Sequence, residues 1–216
     1  MSVKPSILYF GTPVVLISTL NEDGSPNIAP MSSVFWLGWR GVLGIGPSKT
    51  AENMIRTGEC VLNLPSVDEV TAVNRLACLT GSNPVPAAKQ ARGYRFEPNK
   101  FEQAGLSPFP SQTVAPPRAL ECPVQMEAVV VAHHGVGDDG AWKGAISLFD
   151  VRIQRVHALP EILMDGASNR IDPDKWRPLI MSFQKFYGLS PDQIHESLLG
   201  EIPEELYSGP DVDRAK

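Results

Sequence analysis

The stretch from Val14 to Leu64 constrains the fold more than any other, because short apolar runs alternate there with chain-reversal residues. Val14-Val15-Leu16-Ile17-Ser18-Thr19-Leu20 has the β-branched, apolar composition of a mostly buried strand. Asn21-Glu22-Asp23-Gly24-Ser25 is a turn, with Asp-Gly where a positive φ is needed. Pro26 to Trp36 reads as the next extended segment, Gly38-Trp39-Arg40-Gly41 reverses the chain, and Val42-Leu43-Gly44-Ile45-Gly46 returns it. Antiparallel strands joined by tight turns open a barrel or a sandwich.

Pro47-Ser48-Lys49-Thr50 then leads into a short helix, Ala51 to Thr57, capped by Ser48 or Thr50 and stopped by Gly58. Ala51, Met54 and Ile55 form its apolar stripe. Lys49 is unusual, because a helix start carries partial positive charge and favours acidic residues. A bound phosphate reverses that sign, with backbone amides, two hydroxyls and an ammonium converging on one dianion. The other reading is a solvated lysine beside an ordinary hydroxyl cap, and the helix alone leaves both open. Glu59-Cys60-Val61-Leu62-Asn63-Leu64 is a fourth strand, and Ser66-Val67-Asp68-Glu69 is a capping box opening a helix that runs to about Thr80-Gly81. Neither helix has the length or placement of repeated crossovers, which argues against a doubly wound parallel sheet.

The bounds agree with one barrel-sized unit. A chain of 216 residues makes one domain, or one with a modest appendage, and buries roughly 70% of its unfolded surface. The net charge of −5 argues against nucleic acid and against an anionic membrane surface. No apolar run reaches the ~18–20 residues of a membrane span, and the start lacks the basic and apolar regions of a signal peptide. Cys60, Cys78 and Cys122 are widely spaced, as in a cytoplasmic protein with reduced thiols. The four histidines show no metal-ligand spacing.

Residues 82–117 are rich in chain breakers (Pro84, Pro86, Pro98, Pro108, Pro110, Pro116, Pro117), with one short helix at Lys100–Ala104 stopped by Gly105. A run this long is either a functional lid or a solvated loop. Its Lys89, Arg92, Tyr94, Arg95 and Phe96 suit a cover over an anionic ligand. Glu121 to Ala132 and Ala141 to Val156 read as a long hairpin around a turn at Gly137–Gly140, with a parity switch that signals burial on both faces or a bulge. Trp176, Leu179, Ile180, Phe183, Phe186 and Tyr187 fall at helical spacing, Ser190-Pro191 starts a further helix, and the chain from Ser208 reads as a loose tail. The expected division is a domain over 1–189, containing the long loop, and a C-terminal helix and tail over 190–216.

Several pieces together carry a resemblance. They are Gly11-Thr12-Pro13 with the strand after it, Asp23-Gly24, and Pro26-Asn27-Ile28-Ala29-Pro30-Met31-Ser32-Ser33-Val34. Ser48-Lys49-Thr50-Ala51-Glu52-Asn53-Met54 and Gly58-Glu59-Cys60-Val61-Leu62-Asn63-Leu64 continue it, as do Lys100-Phe101 with Ala104-Gly105-Leu106, and Glu121-Cys122-Pro123-Val124. Arg177-Pro178-Leu179-Ile180 and Phe186-Tyr187-Gly188-Leu189 complete it. In this order and spacing the chain resembles the flavin reductase-like, FMN-binding split-barrel family. The resemblance implies a mainly β fold, a six-stranded Greek-key split barrel with a few short helices, forming a homodimer with FMN near the subunit interface. It implies that Asn27 to Val34, including Pro30, runs under the isoalloxazine. Main-chain groups of Met31 to Val34 and the Ser32 and Ser33 hydroxyls would meet the ring's polar edge. Ser48, Lys49 and Thr50 would hold the phosphate, with Asn53 nearby and Tyr187 close to the flavin, in the partner subunit.

The implied activity is hydride transfer from NAD(P)H to flavin N5 in a flavoprotein oxidoreductase that serves a monooxygenase partner. The alternative is a non-enzymatic FMN-binding sensor or electron carrier. Related reductases often carry a histidine near the start of the strand that here reads Lys143-Gly144-Ala145-Ile146-Ser147-Leu148; its absence bears on nicotinamide handling. The flavin carries the reactivity, so no acid–base dyad is required, and none is evident. Gly44-Ile45-Gly46 lacks the third glycine of a dinucleotide fingerprint.

Overall fold

The computed structural model describes residues 1–137, 140 and 143–216. The turn read at Gly137–Gly140 and the start of the strand read from Ala141 lie partly outside the described residues.

Seven strands build the principal sheet: β1 (Val15–Leu20), β2 (Pro26–Met31), β3 (Val34–Leu37), β4 (Arg40–Ile45), β5 (Glu59–Leu64), β6 (Val124–Val136) and β7 (Ile146–Ala158). Their order across the sheet is β2-β1-β5-β6-β7-β4-β3, and every pairing is antiparallel. The segment expected as one strand from Pro26 to Trp36 is therefore two, broken at Ser32-Ser33. Its halves lie on opposite edges of the sheet, which curls so that two consecutive residues join both edges. Counting that segment once gives the expected six strands; the structure has seven. The hairpin of β6 and β7 shifts register between Glu127 and Ala128 and again between Val130 and Ala132. Neither shift falls at the parity switch between Leu148 and Phe149, where the pairing is continuous: Leu148 is exposed on the outer face, while Phe149, Val151 and Ile153 face inward together.

The helix α1 (Lys49–Thr57) caps one end of the curl, with Ser48 as its N-cap and Gly58 at φ 71° stopping it in the left-handed conformation. Its Ala51 and Met54 join a core with Val15, Ile17, Leu43, Cys60, Leu62, Phe149 and Val151. A second core lies outside the sheet, where Leu16 and Ile28 meet Val73 and Leu76 of α2 (Val70–Leu76) and Phe101 and Ala104 of α3 (Lys100–Ala104). The capping box at Ser66 is present. Burial pushes the Cys60 thiol up to about 12 and raises Cys122 as well, so both are inert packing groups.

Five expectations fail. The helix after the capping box ends at Leu76 rather than near Gly81, because Cys78 adopts φ 58° and Leu79–Thr80 pairs in parallel with Arg95–Phe96. Residues 82–117 are not structureless: they hold a helical turn at Ala87–Gln90, the helix α3 and a small pairing of Pro108–Phe109 with Arg118–Ala119. Burial of Phe101, Ala104 and Leu106 anchors them. The aromatic stripe from Trp176 is a hairpin, Ile180–Ser182 with Lys185–Tyr187, turned by positive φ at Phe183 and Gln184 and edge-paired to Thr12–Pro13. Edge pairing supplied hydrogen bonds that a helix interrupted by Pro178 could not match. After Ser190 there are only 3-10 turns, with Ile194, Leu198 and Leu199 exposed, since a short amphipathic helix with nothing to cover is marginal. The final residues are tied down: Asp211 pairs with Arg40 at 2.8 Å, and the Lys216 amide donates to the Gln154 carbonyl at 2.8 Å. Among the described residues, no helix is long and apolar enough to cross a membrane.

Candidate functional site

The chain leaves β4 at Ile45, passes Gly46-Pro47 and enters α1, so the helix start faces the gap between the two sheet edges. The Ser48 hydroxyl accepts from the Ala51 amide at 3.2 Å, and its carbonyl accepts from the Glu52 amide at 3.0 Å. The amides of Lys49 and Thr50 precede the intrahelical ladder and have no backbone acceptor.

Behind this turn lies a buried polar network. Asn27 Nδ2 donates to Thr19 Oγ1 and to Thr50 Oγ1, both at 3.2 Å. Asn53 Nδ2 donates to Thr19 Oγ1 at 3.1 Å and to Asn21 Oδ1 at 3.0 Å. Asn53 is thereby committed to bracing α1 against the end of β1. Asn27 is 1% exposed, and its Oδ1 has no hydrogen-bond partner among the described residues. An orphaned buried acceptor is costly, and it marks where a donor belongs.

Asn27 also lines a cleft of about 290 Å3 whose walls include Asn21, Glu22, Lys49, Gly81 and Phe96. A Cβ on Gly81 would stand 2.7 Å from Asn27 Oδ1 and 3.2 Å from the Lys49 side chain. Glycine is what keeps the backbone this close with the cleft open. Lys49 Nζ lies 3.1 Å from Glu52 and 3.4 Å from Glu22. Burial alone would depress Lys49, but hydrogen bonds and charge from Glu52 and Glu22 outweigh it and raise it, so the ammonium is charged. Both carboxylates are largely exposed, and such screened pairs are weak enough for a dianion to displace.

Two further lysines, neither of them in the cleft wall, stand close enough to repel each other. Lys89 Nζ donates to Thr80 Oγ1 at 3.4 Å, beside Gly81. Lys100 is only 3% exposed and has no hydrogen-bond or ionic partner among the described residues. Desolvation, and then repulsion from Lys89, pull it down to about 7. Lys89 is one of the loop residues that the sequence marks as a cover over an anionic ligand; Lys100 is not, and the signal available for it was a lysine at an inward position of the α3 stripe, beside Phe101 and Ala104.

The remaining sequence-derived residues are more scattered. Pro30 and Met31 close β2, Ser32 is half-buried, Ser33 is exposed with its carbonyl accepting from the Gly44 amide at 2.8 Å, and Val34 is buried at the start of β3. This segment joins the end of β2 to the start of β3 and lies against Leu43 and Gly44 of β4. Tyr187 is half-exposed and pairs with Ile180, which pairs with Pro13. Pro13 precedes β1, whereas Asn21 follows it, so within one chain Tyr187 is a strand's length from the Lys49 cleft.

A family model described as the flavin reductase like domain matches residues 7–189. The chain belongs to that family. YdfE, an uncharacterized protein of Bacillus subtilis (strain 168), is 39% identical over 188 residues, covering 87% of this chain and 88% of that one. Flavoredoxin of Desulfovibrio vulgaris (Miyazaki F) superposes with a TM-score of 0.74 at 19% identity, covering 94% of this chain and 99% of that one. Nitrilotriacetate monooxygenase component B from Bacillus cereus gives 0.70 at 21% identity, covering 88% and 89%. At these identities the two structures speak to the fold alone, and the curled sheet open between β2 and β3 is the split barrel of the family.

Proposed function

We propose that this flavin reductase-like chain binds FMN in the groove between α1 and the β2 edge and acts as an NAD(P)H-dependent flavin reductase. It does so as a homodimer and passes reduced flavin to a monooxygenase. The observation that carries this reading is the cleft at the start of α1, flanked by Lys49 and kept clear by Gly81. A flavin phosphate fits the donors of the helix start, and a ribityl hydroxyl is the kind of donor that Asn27 Oδ1 lacks. Ser48, Lys49 and Thr50 supply a helix start, free amides and an ammonium, and Lys89 and Lys100 add positive potential that no carboxylate fully offsets. Main-chain groups of Met31 to Val34 and the hydroxyls of Ser32 and Ser33 serve the polar edge of the ring. Asn53 acts indirectly, by fixing Thr19 and the helix. Bound there, the flavin supplies the hydride-accepting N5. The chain's own task is to orient the ring, exclude water and set the surrounding potential.

The test is an absorption spectrum of the purified protein, repeated without oxygen after adding NADH and then NADPH. Flavin bands that bleach support the reductase and identify the nicotinamide. Bands that persist leave non-enzymatic flavin binding or an enzyme with another electron donor. No flavin band after adding FMN and desalting would overturn the bound-cofactor reading.

A further inference from the structure

A second cleft, larger than the one beside Lys49, is at the other end of the barrel. Ile45 of β4 pairs with Ser147 beside the helix start, whereas Arg40 pairs with Arg152 beside the Trp39 turn. The six residues of β4 separate the two ends by roughly 20 Å. At the Trp39 end, the close of β7 and the Leu163–Ile171 hairpin enclose about 550 Å3. That volume suits a small organic molecule.

The lining is mixed. Trp39, Leu120, Val156, Leu159, Leu163 and Ile171 give an apolar body to the cleft, and Ser168 and Asn169 add polar groups on the hairpin. Arg118, His157 and Gln125 form a polar head. The head is held rigidly. Glu127 is fully buried and accepts hydrogen bonds from the Gln112 and Thr113 amides, from Thr113 Oγ1 and, at 2.7 Å, from His157 Nε2. This fixes the imidazole with its proton on Nε2 and turns Nδ1 away from Glu127. Arg118 is 8% exposed. Its Nε and Nη2 donate to the Pro110 carbonyl, its Nη1 donates to Gln125 Oε1 at 2.9 Å, its guanidinium lies 4.9 Å above the Phe109 ring, and its Nε stands 3.9 Å from Glu127 Oε1, beyond hydrogen-bond distance. A guanidinium has five N–H groups, and these contacts leave two of them unused.

We propose that this cleft binds an organic carboxylate with an apolar or aromatic body. The carboxylate takes the two spare N–H groups of Arg118, whose planar fork matches its geometry. His157, oriented by Glu127, is the adjacent polar contact, and Trp39 with the aliphatic walls covers the body of the ligand. The site is independent of the flavin cleft, so neither reading depends on the other.

The experiment titrates the full-length protein, with excess FMN present to fill the flavin cleft, with 2-naphthoate and with its neutral counterpart 2-naphthylmethanol. Calorimetry and ligand-observed NMR provide the readouts. Saturable binding of the acid, with the alcohol at least tenfold weaker, is expected. Ser168→Trp, on the exposed strand lining the cleft, should abolish binding while leaving the melting temperature within a few degrees. His157→Gln, which keeps a donor towards Glu127, should weaken the acid about fivefold. Equal binding of acid and alcohol, unchanged affinity in Ser168→Trp, or no saturable binding up to 10 mM would each overturn the proposal. A change of oligomeric mass in Ser168→Trp would also overturn it, by making the cleft an interface between copies.

Discussion

Glu127 and Lys100 are both charges taken almost completely out of water, and the protein treats them in opposite ways. Glu127 sits under a loop that donates two amides and a hydroxyl to it, with His157 completing the shell. Burial would raise it, yet these hydrogen bonds win and hold it below the usual carboxylate range. Lys100 has no such shell, faces another cation and is pulled down to about 7. A charge that exists to hold a loop brings its partners with it. A charge left without partners makes sense where an anion arrives from outside.

The sharpest way to break this contrast is Glu127→Gln. Removing a buried charge that organises several donors should cost about 3–5 kcal/mol in urea unfolding. Glu127 is depressed in the fold, so its contribution is present above its ordinary value of 4.5 and lost as pH falls through the lower folded value. The variant should therefore lose part of the acid-side slope of stability. A near-neutral Glu127→Gln would remove the distinction.

Lys100→Met should go the other way and stabilise the ligand-free protein at pH 7, by on the order of 3 kcal/mol. The unfolded chain keeps this proton up to the ordinary value of 10.5, and the folded chain releases it near 7. Between those values the unfolded state binds more protons, so wild-type stability rises with pH by up to about 1.4 kcal/mol per unit. The variant should flatten that rise, and added FMN should flatten it in the wild type, because a bound anion favours the charged lysine. Thermal melts from pH 7 to 10, with and without FMN, read both effects. Lys49→Ala should weaken FMN binding about tenfold, or ~1.4 kcal/mol, in a fluorescence titration; unchanged affinity would refute the phosphate assignment. Gly81→Ala is the smallest change. Its Cβ would stand 2.7 Å from Asn27 Oδ1, so a stability loss of about 1 kcal/mol is expected, together with weaker flavin binding.

The contrast also marks what the sequence could show. Local chemistry was legible: the Ser48 cap, the Gly58 stop, the Ser66 capping box and the β1 and β5 strands all rest on residues within one turn or one run. Lys49 was legible because its sign conflicts with its own helix. Lys100 was not, since nothing near it in the chain reveals that α2, α3 and β2 close over it. The loop at 82–117 misled for the same reason. Its prolines do break helices, but Phe101, Ala104 and Leu106 anchor it through contacts with β1, β2 and α2. The stripe from Trp176 to Tyr187 has helical spacing, and an edge at Thr12–Pro13 settled it otherwise.

The break at Ser32-Ser33 has a mechanical consequence. The sheet is a strip pinned into a curl by two residues, which hold its first and last strands together as a clasp holds a bracelet. A single cut there would release both ends at once, while each strand kept one neighbour along its length. Limited proteolysis or circular permutation at that bond would therefore loosen the curvature of the whole strip, and with it the groove along the clasp, before it unfolded any one strand.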